Sequence, residues 1–423
     1  MIKETKDILI YSLVKSERLI YTLDFFFKSK GQHYTLTNDL DHFVAYKLTK
    51  INYSTENLPA TLSIVPSELL FEKNINSNIN LTRNQKGNTW LINGEPDPLS
   101  VVFFFLSRYE EYISSVRDNF GRFEAKQSIA YQNGLLERPI CDILVKMIWQ
   151  KLDLDYSKVK SKFKTIASFD IDVAWAYKNK GWKRSLMSST KDLLSGRFST
   201  GRFRTMMNQT KDPFDNYELI QTIAEKHPTI LFFLLGNWGK YDKNIHWENK
   251  ALQTTITSFV NKAKIGIHPS FAAFLNEQKV SEEIERLNLI LQNDIADSRQ
   301  HFLRLKLPDS YQLLIKQGIK NDYTMGFADH FGFRAGTSFP FYFFDLKNNE
   351  TVNFKIYPFA YMDGTLKDYI GMSPEESIAV IKTLREDIEN VGGHFISVWH
   401  NHSIGDTLEW QGWQKVFLSN FPD

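Results

Sequence analysis

The sequence predicts an α/β fold with a parallel sheet over residues 161–423, preceded by a smaller α+β domain over residues 1–160. From Thr165 onward, short apolar runs alternate with helical ones, the order that winds a parallel sheet. Several of those runs end on Asp, His or Arg, and the carboxyl ends of parallel strands are where such folds place chemistry. A polar, Lys-rich stretch over residues 153–164 marks the boundary between the two parts.

In the first part, Leu19, Ile20, Leu23 and Phe27 recur at helical spacing, predicting an amphipathic helix near the N-terminus. Residues 62–65 and 89–92 read as strands between Asn, Gly and Pro punctuation. Residues 97–112 predict one helix with a very apolar face, and Arg108, Glu110 and Glu111 an ion-paired helix end. Residues 139–152 predict another helix.

In the second part, residues 166–169 form an apolar run that ends in Asp170 and Asp172. Side chains repeat every two residues along a strand, so both acids fall on one side. Two carboxylates on one side repel unless a proton or cation separates them, which points to a metal, a general base, or both. Asp215-Asn-Tyr-Glu218 is a capping-box opening for a helix to about Lys226. Residues 229–235 predict a buried strand, and residues 264–267 a short one that ends at His268. A helix follows from Ser281 to about Asn293, then a strand end at Ser298-Arg-Gln-His-Phe302. Residues 308–316 predict a helix stopped by Gly318, with residues 322–326 strand-like after it. Ser373-Pro-Glu-Glu376 opens a capped helix that ends near Gly392, and residues 395–399 form a last strand running into His400-Asn-His402.

Four strand ends thus finish on chemically capable groups: Asp170 with Asp172, His268, Arg299 with His301, and His400 with His402. In a barrel-like fold those ends converge on one rim. Asp, His and water suit a zinc-type divalent cation with an open position for substrate.

These elements resemble, in order, the motifs of the polysaccharide deacetylases, the NodB-like carbohydrate esterases. Ser168-Phe-Asp-Ile-Asp172 resembles the first motif, usually T-F-D-D-G, with one Asp as base and the next on metal. Gly266-Ile-His-Pro-Ser270 resembles the second, which supplies metal-binding histidine. Ser298-Arg-Gln-His301 resembles the third, whose Arg orients the catalytic Asp, and Val398-Trp-His400 the last, whose His protonates the leaving group. The resemblance covers about residues 160–420 and implies a distorted (β/α) barrel, with Asp170, Arg299 and His400 catalytic and Asp172 and His268 on the metal. Residues 1–160 resemble an uncharacterised domain that often precedes such deacetylases in bacterial proteins.

Two departures stand out. Ile171 separates the two acids, and the usual second histidine, four residues after the first, is Ala272. His301 is the first choice for a third ligand, since it lies two residues past Arg299 and points the same way if the strand continues; His402 is the next. Gly332-Phe-Arg-Ala-Gly-Thr337 and Met362-Asp-Gly-Thr365 resemble a subgroup only. Arg334 there can recognise an anionic sugar or phosphate, or pair with Asp329 or Asp345. With Asp363, Trp399 and His402 it completes the expected substrate contacts.

The expected activity is hydrolysis of an amide or ester that removes an acetyl group from an N- or O-acetylated sugar or polysaccharide precursor. The rivals are a deacetylase fold that has lost catalysis and binds a glycan or partner, favoured by Ala272, and another metal hydrolase such as a phosphoesterase. The balance of 51 basic and 49 acidic residues gives no basic excess for a nucleic-acid partner. One cysteine, Cys141, excludes an intrachain disulfide and a Cys-rich metal site. The most apolar runs, residues 101–106 and 230–235, are far too short to span a bilayer, and the acid-bearing start makes a poor signal peptide. A cytoplasmic location is the resulting expectation.

Overall fold

The computed structural model describes residues 7–422 apart from 85, 88, 180–203, 206 and 208. Fifteen strands are present among the described residues. The first part carries β1 (Ile8–Tyr11), β2 (Tyr34–Thr37), β3 (Lys50–Tyr53) and β4 (Leu62–Ile64), which form a parallel sheet in the order β2-β1-β3-β4. A separate hairpin joins β5 (Leu81–Arg83) to β6 (Trp90–Ile92). This part is more regular than the α+β expectation, because the helices Glu17–Phe26 and Leu40–Ala45 serve as crossovers between parallel strands. The run expected as one helix over residues 97–112 is two, Pro98–Leu106 and Tyr109–Ile113, broken where Arg108 takes a left-handed φ of 53°.

The second part is one curled sheet. Its strands are β7 (Lys164–Ile171), β8 (Thr229–Phe233), β9 (Lys264–Ile267), β10 (Asp297–Ser298), β11 (Asn321–Asp322), β12 (Phe341–Asp345), β13 (Glu350–Ile356), β14 (Tyr361–Met362) and β15 (His394–His400). They are ordered β12-β13-β11-β10-β9-β8-β7-β15-β14, and every pair is parallel except β12 with β13. No pairing joins β12 to β14 among the described residues, so the sheet is an open half-barrel. The antiparallel β12–β13 hairpin ends the parallel winding there. Segments of the first part cover it: Tyr21 donates to the Tyr342 carbonyl, and the rings of Tyr21 and Phe103 pack on Phe344 at 5.1 and 5.0 Å. Covering of this kind limits edge-to-edge pairing.

Strand alternation sorts the side chains. Ile230, Phe232, Ile396 and Val398 line the concave face with Tyr323 and Phe359, while Phe169, Leu231 and Trp399 join the outer core under the helices. That outer core is continuous with the core of the first part. Gly266 is required on the concave face, since a Cβ there would lie 2.6 Å from the Asp297 carbonyl and 2.7 Å from the Phe232 ring. The capping box at Ser373 forms and starts Pro374–Val391. The one expected at Asp215 does not: Tyr217–Lys226 begins after Asn216 with no side-chain cap. The helix expected from Ser281 starts earlier, at Glu277, capped by Asn276. Of the strand-like residues 322–326 only Asp322 belongs to a strand. No helix among the described residues is long and apolar enough to cross a membrane.

Lys30 lies at the junction of the two parts, buried between the rings of Phe25 (3.9 Å) and Phe339 (3.8 Å). Burial lowers its pKa from 10.5 to about 7, against the opposing pull of Asp142. Between those values the unfolded chain binds a proton that the folded chain does not, so this lysine makes stability rise with pH. Relative to a Lys30→Met variant, wild-type unfolding free energy measured in urea should therefore climb between pH 7 and 9, by up to about 1.4 kcal/mol per pH unit. Parallel curves would mean that Lys30 stays charged.

Candidate metal centre

β7 ends at Ile171, so the residue between the two acids continues the strand rather than bulging it. Ile171 is buried in the outer core, and Asp170 and Asp172 share the concave side, 3.8 and 3.1 Å from Nε2 of His268. His268 follows β9 and its Nδ1 lies 2.6 Å from the carbonyl oxygen of Arg299. A carbonyl only accepts, so Nδ1 is the donor, and a ring that is neutral would present the Nε2 lone pair to the site.

His301 follows β10 and is held the same way. Its Nδ1 lies 3.0 Å from Oδ1 of Asp242, leaving Nε2 free at 3.4 Å from Oδ2 of Asp172. Asp242 is buried in the loop after β8 and accepts from the backbone N–H groups of Phe271 and Ala272 at 2.8 and 3.2 Å. The position lacking a histidine side chain therefore contributes its backbone to the support of another. Ligand atoms of Asp172, His268 and His301 all lie within 4.8 Å of one another.

This donor set fits a divalent cation of the zinc type. Oδ1 of Asp172 is buried and accepts no hydrogen bond of good geometry, although Nε2 of His268 faces it at 3.1 Å. Converging acceptors are unfavourable without a positive charge among them. Without a cation the imidazoles must supply that charge: burial opposes it, but Asp172 and Asp242 raise the pKa of His301 to about 9. Burial alone would raise Asp172, whereas His301 and His268 draw it well below the ordinary carboxylate range.

Two further groups flank the cluster. Arg299 is fully buried and donates from Nη1 to Asp170 (2.8 Å), from Nη2 to the Ser168 hydroxyl (2.8 Å) and from Nε to the Tyr323 carbonyl (3.0 Å). On the other side, Nδ1 of His400 lies 2.9 Å from Asp363, which also accepts from the His400 backbone and the Ser403 hydroxyl. Nε2 of His400 then points to Oδ2 of Asp172 at 3.5 Å. Burial works against its charge, but Asp363, with Asp172 and Asp170 behind it, raises its pKa to about 10.

The structure thus brings Asp170, Asp172, His268, Arg299, His301 and His400 together. The expected substrate contacts fare differently. Asp363 is fully buried behind His400 and orients it, so it is no surface for substrate. Trp399 points to the opposite face of its strand, against Phe417, because neighbours of His400 on β15 alternate away from the site. His402 is half-buried beside His400, ring centroids 5.2 Å apart, and burial lowers its pKa to about 4. Arg334 is buried and bonded twice to Glu111, at 2.8 and 2.7 Å, and to the Gly326 carbonyl; neither Asp329 nor Asp345 is its partner. Glu111 in turn accepts from Arg108, the ion-paired helix end expected from sequence. Sequence reasoning missed Asp242, whose only signal was an acid in the loop after a predicted strand, and Ser168 and Ser403.

Residues 8–157 match the model of a family of unknown function, DUF7033. Comparison with curated proteins returns no match. Among solved structures, a Mycobacterium smegmatis protein designated a polysaccharide deacetylase aligns at 15% identity and TM-score 0.39, over 60% of this chain and 83% of its own. IcaB from Ammonifex degensii aligns at 13% identity and TM-score 0.23, over 38% and 84%. Agd3, described as a novel carbohydrate deacetylase, aligns at 9% identity and TM-score 0.37, over 99% and 84%. All three TM-scores fall below 0.5, and the case for a function rests on this chain's own side chains.

Replacing Arg334 tests its structural role. Arg334→Ala leaves Glu111 buried beside one arginine instead of two, and should destabilise the fold by about 1.5–3 kcal/mol in urea unfolding. Unchanged stability with a raised KM would return Arg334 to the substrate.

Proposed function

We propose that this chain is a metal-dependent hydrolase that removes an acetyl group from an N- or O-acetylated sugar or polysaccharide precursor. The observation that carries the proposal is the junction of lone pairs from Asp172, His268 and His301, flanked by an arginine-held carboxylate and an aspartate-held imidazole. The motif resemblance points to the same chemistry.

A bound zinc-type cation supplies polarisation of the acyl carbonyl and a lowered pKa for water. Asp172, His268 and His301 would hold it. Asp170 has one oxygen fixed by Arg299, which leaves the other, 3.8 Å from Nε2 of His268, to take the proton of the attacking water. Arg299 fixes the orientation of Asp170 through this charge-assisted contact at 2.8 Å. His400 enters with Nε2 toward the site and donates its proton to the departing nitrogen or oxygen, so that the C–N or C–O bond breaks to an amine or alcohol. Asp363 holds that ring in the tautomer and orientation the transfer needs and offsets the imidazolium charge. Water oxygen ends on acetate.

Purified protein should contain about one zinc-type ion per chain and release acetate, not phosphate, from acetylated oligosaccharides. Asp170→Asn should lower turnover about 10²–10⁴-fold while metal content stays near wild type, because an amide cannot take the proton. Equal loss of metal in that variant would mean that Asp170 and Asp172 have exchanged roles.

A further inference from the structure

The turn that carries His301 is held in a conformation its sequence does not favour. Phe302 and Leu303 follow in succession with φ of 62° and 55°, the left-handed region that side chains with a Cβ avoid. Such backbone persists only where its surroundings over-determine it, and it concentrates at functional sites. Residues from both parts of the chain fix it, and those of the first part do so through Phe302 and Arg304.

Arg122 donates from Nη1 to the Phe302 carbonyl at 3.3 Å. Its guanidinium is nearly buried and is itself fixed by Asp118 at 2.7 Å, while the other Asp118 oxygen accepts from the backbone of Phe120 and Arg122. Arg304, just past the turn, donates back to the Phe120 carbonyl at 2.7 Å. The Phe120 ring packs on Phe302 with centroids 5.2 Å apart, and Tyr241 and Phe271 close the same cage at 5.3 Å each. Tyr241 adjoins Asp242, and the Phe271 N–H anchors Asp242, so the cage also carries the carboxylate behind His301.

We infer that residues 118–122 of the N-terminal module brace the His301 turn, and that the module serves as a positioning element for the metal ligand. The inference rests on the metal reading above. Among the described residues, the module's hydrogen bonds and ring contacts here go to Phe302 and Arg304 rather than to the candidate ligands, so Arg122 and Phe120 act through Phe302.

Zinc dissociation constants of the full-length protein, measured by competition with a chromophoric chelator, test this. Arg122→Ala should weaken zinc binding about 10–100-fold, the range for loss of an outer partner of a ligand, and Phe120→Ala should weaken it in the same direction. Arg122→Lys, which still offers a cationic donor toward the Phe302 carbonyl, should recover part of the loss seen in Arg122→Ala. A merely structural arginine would give no such recovery, and its absence would overturn transmission through the turn. Wild-type affinity in both Arg122→Ala and Phe120→Ala, with His301→Ala weakened, would overturn the brace and leave the metal reading standing. Wild-type affinity in His301→Ala as well would overturn both.

Discussion

One buried guanidinium organises the site. Arg299 stands at the end of β10, and its hydrogen-bond partners Asp170 and Ser168 lie on β7, with β9 and β8 between them. In a flat sheet that separation would be about 14 Å, three strand spacings. The sheet must curl for the side chain to reach, and the side chain must reach because an unpaired buried charge is strongly destabilising. The same residue's carbonyl fixes Nδ1 of His268, so its main chain orients a candidate metal ligand while its side chain orients the proposed base. Curl, tautomer and carboxylate are thereby set together.

Charge balance is the physical reason a cation would suit the cluster. Asp170, Asp172, Asp242 and Asp363 meet one guanidinium, which leaves three negative charges if the three imidazoles are neutral. Each imidazole has its Nδ1 committed to an oxygen, and at least two direct Nε2 at Asp172 within 3.4 Å. Either the histidines take protons or a dication takes their place. His301 and His400, both raised in pKa, show the first solution. The unpartnered Asp172 oxygen shows where the second would sit.

Much of this was legible in the sequence because strand periodicity and strand ends are local properties. Period two put Asp170 and Asp172 on one side despite Ile171, and alternating strands and helices announced the parallel sheet. The same rule, applied one residue further, would have placed Trp399 on the outer face, opposite His400. What could not be read was pairing across long separations. Arg334 finds Glu111 in the other part of the chain, 223 residues away, and Asp242 reaches His301 across 59. Neither partner has a local signature. Nor does the break at Arg108, where an apparently continuous helical run yields to a buried ion-pair network.

The two parts of the chain meet at the hairpin, at the Arg334–Glu111 pair and at the His301 turn, and the last of these is where the proposed brace would link the first part to the candidate site. The central claim is that Asp172, His268 and His301 form one metal centre. It is tested most directly by a crystal structure of the full chain soaked in zinc, with anomalous scattering recorded at the zinc edge. One peak within about 2.0–2.3 Å of an Asp172 oxygen and of Nε2 in both His268 and His301 is predicted. No peak among those three side chains, or a peak held by other residues, would contradict it.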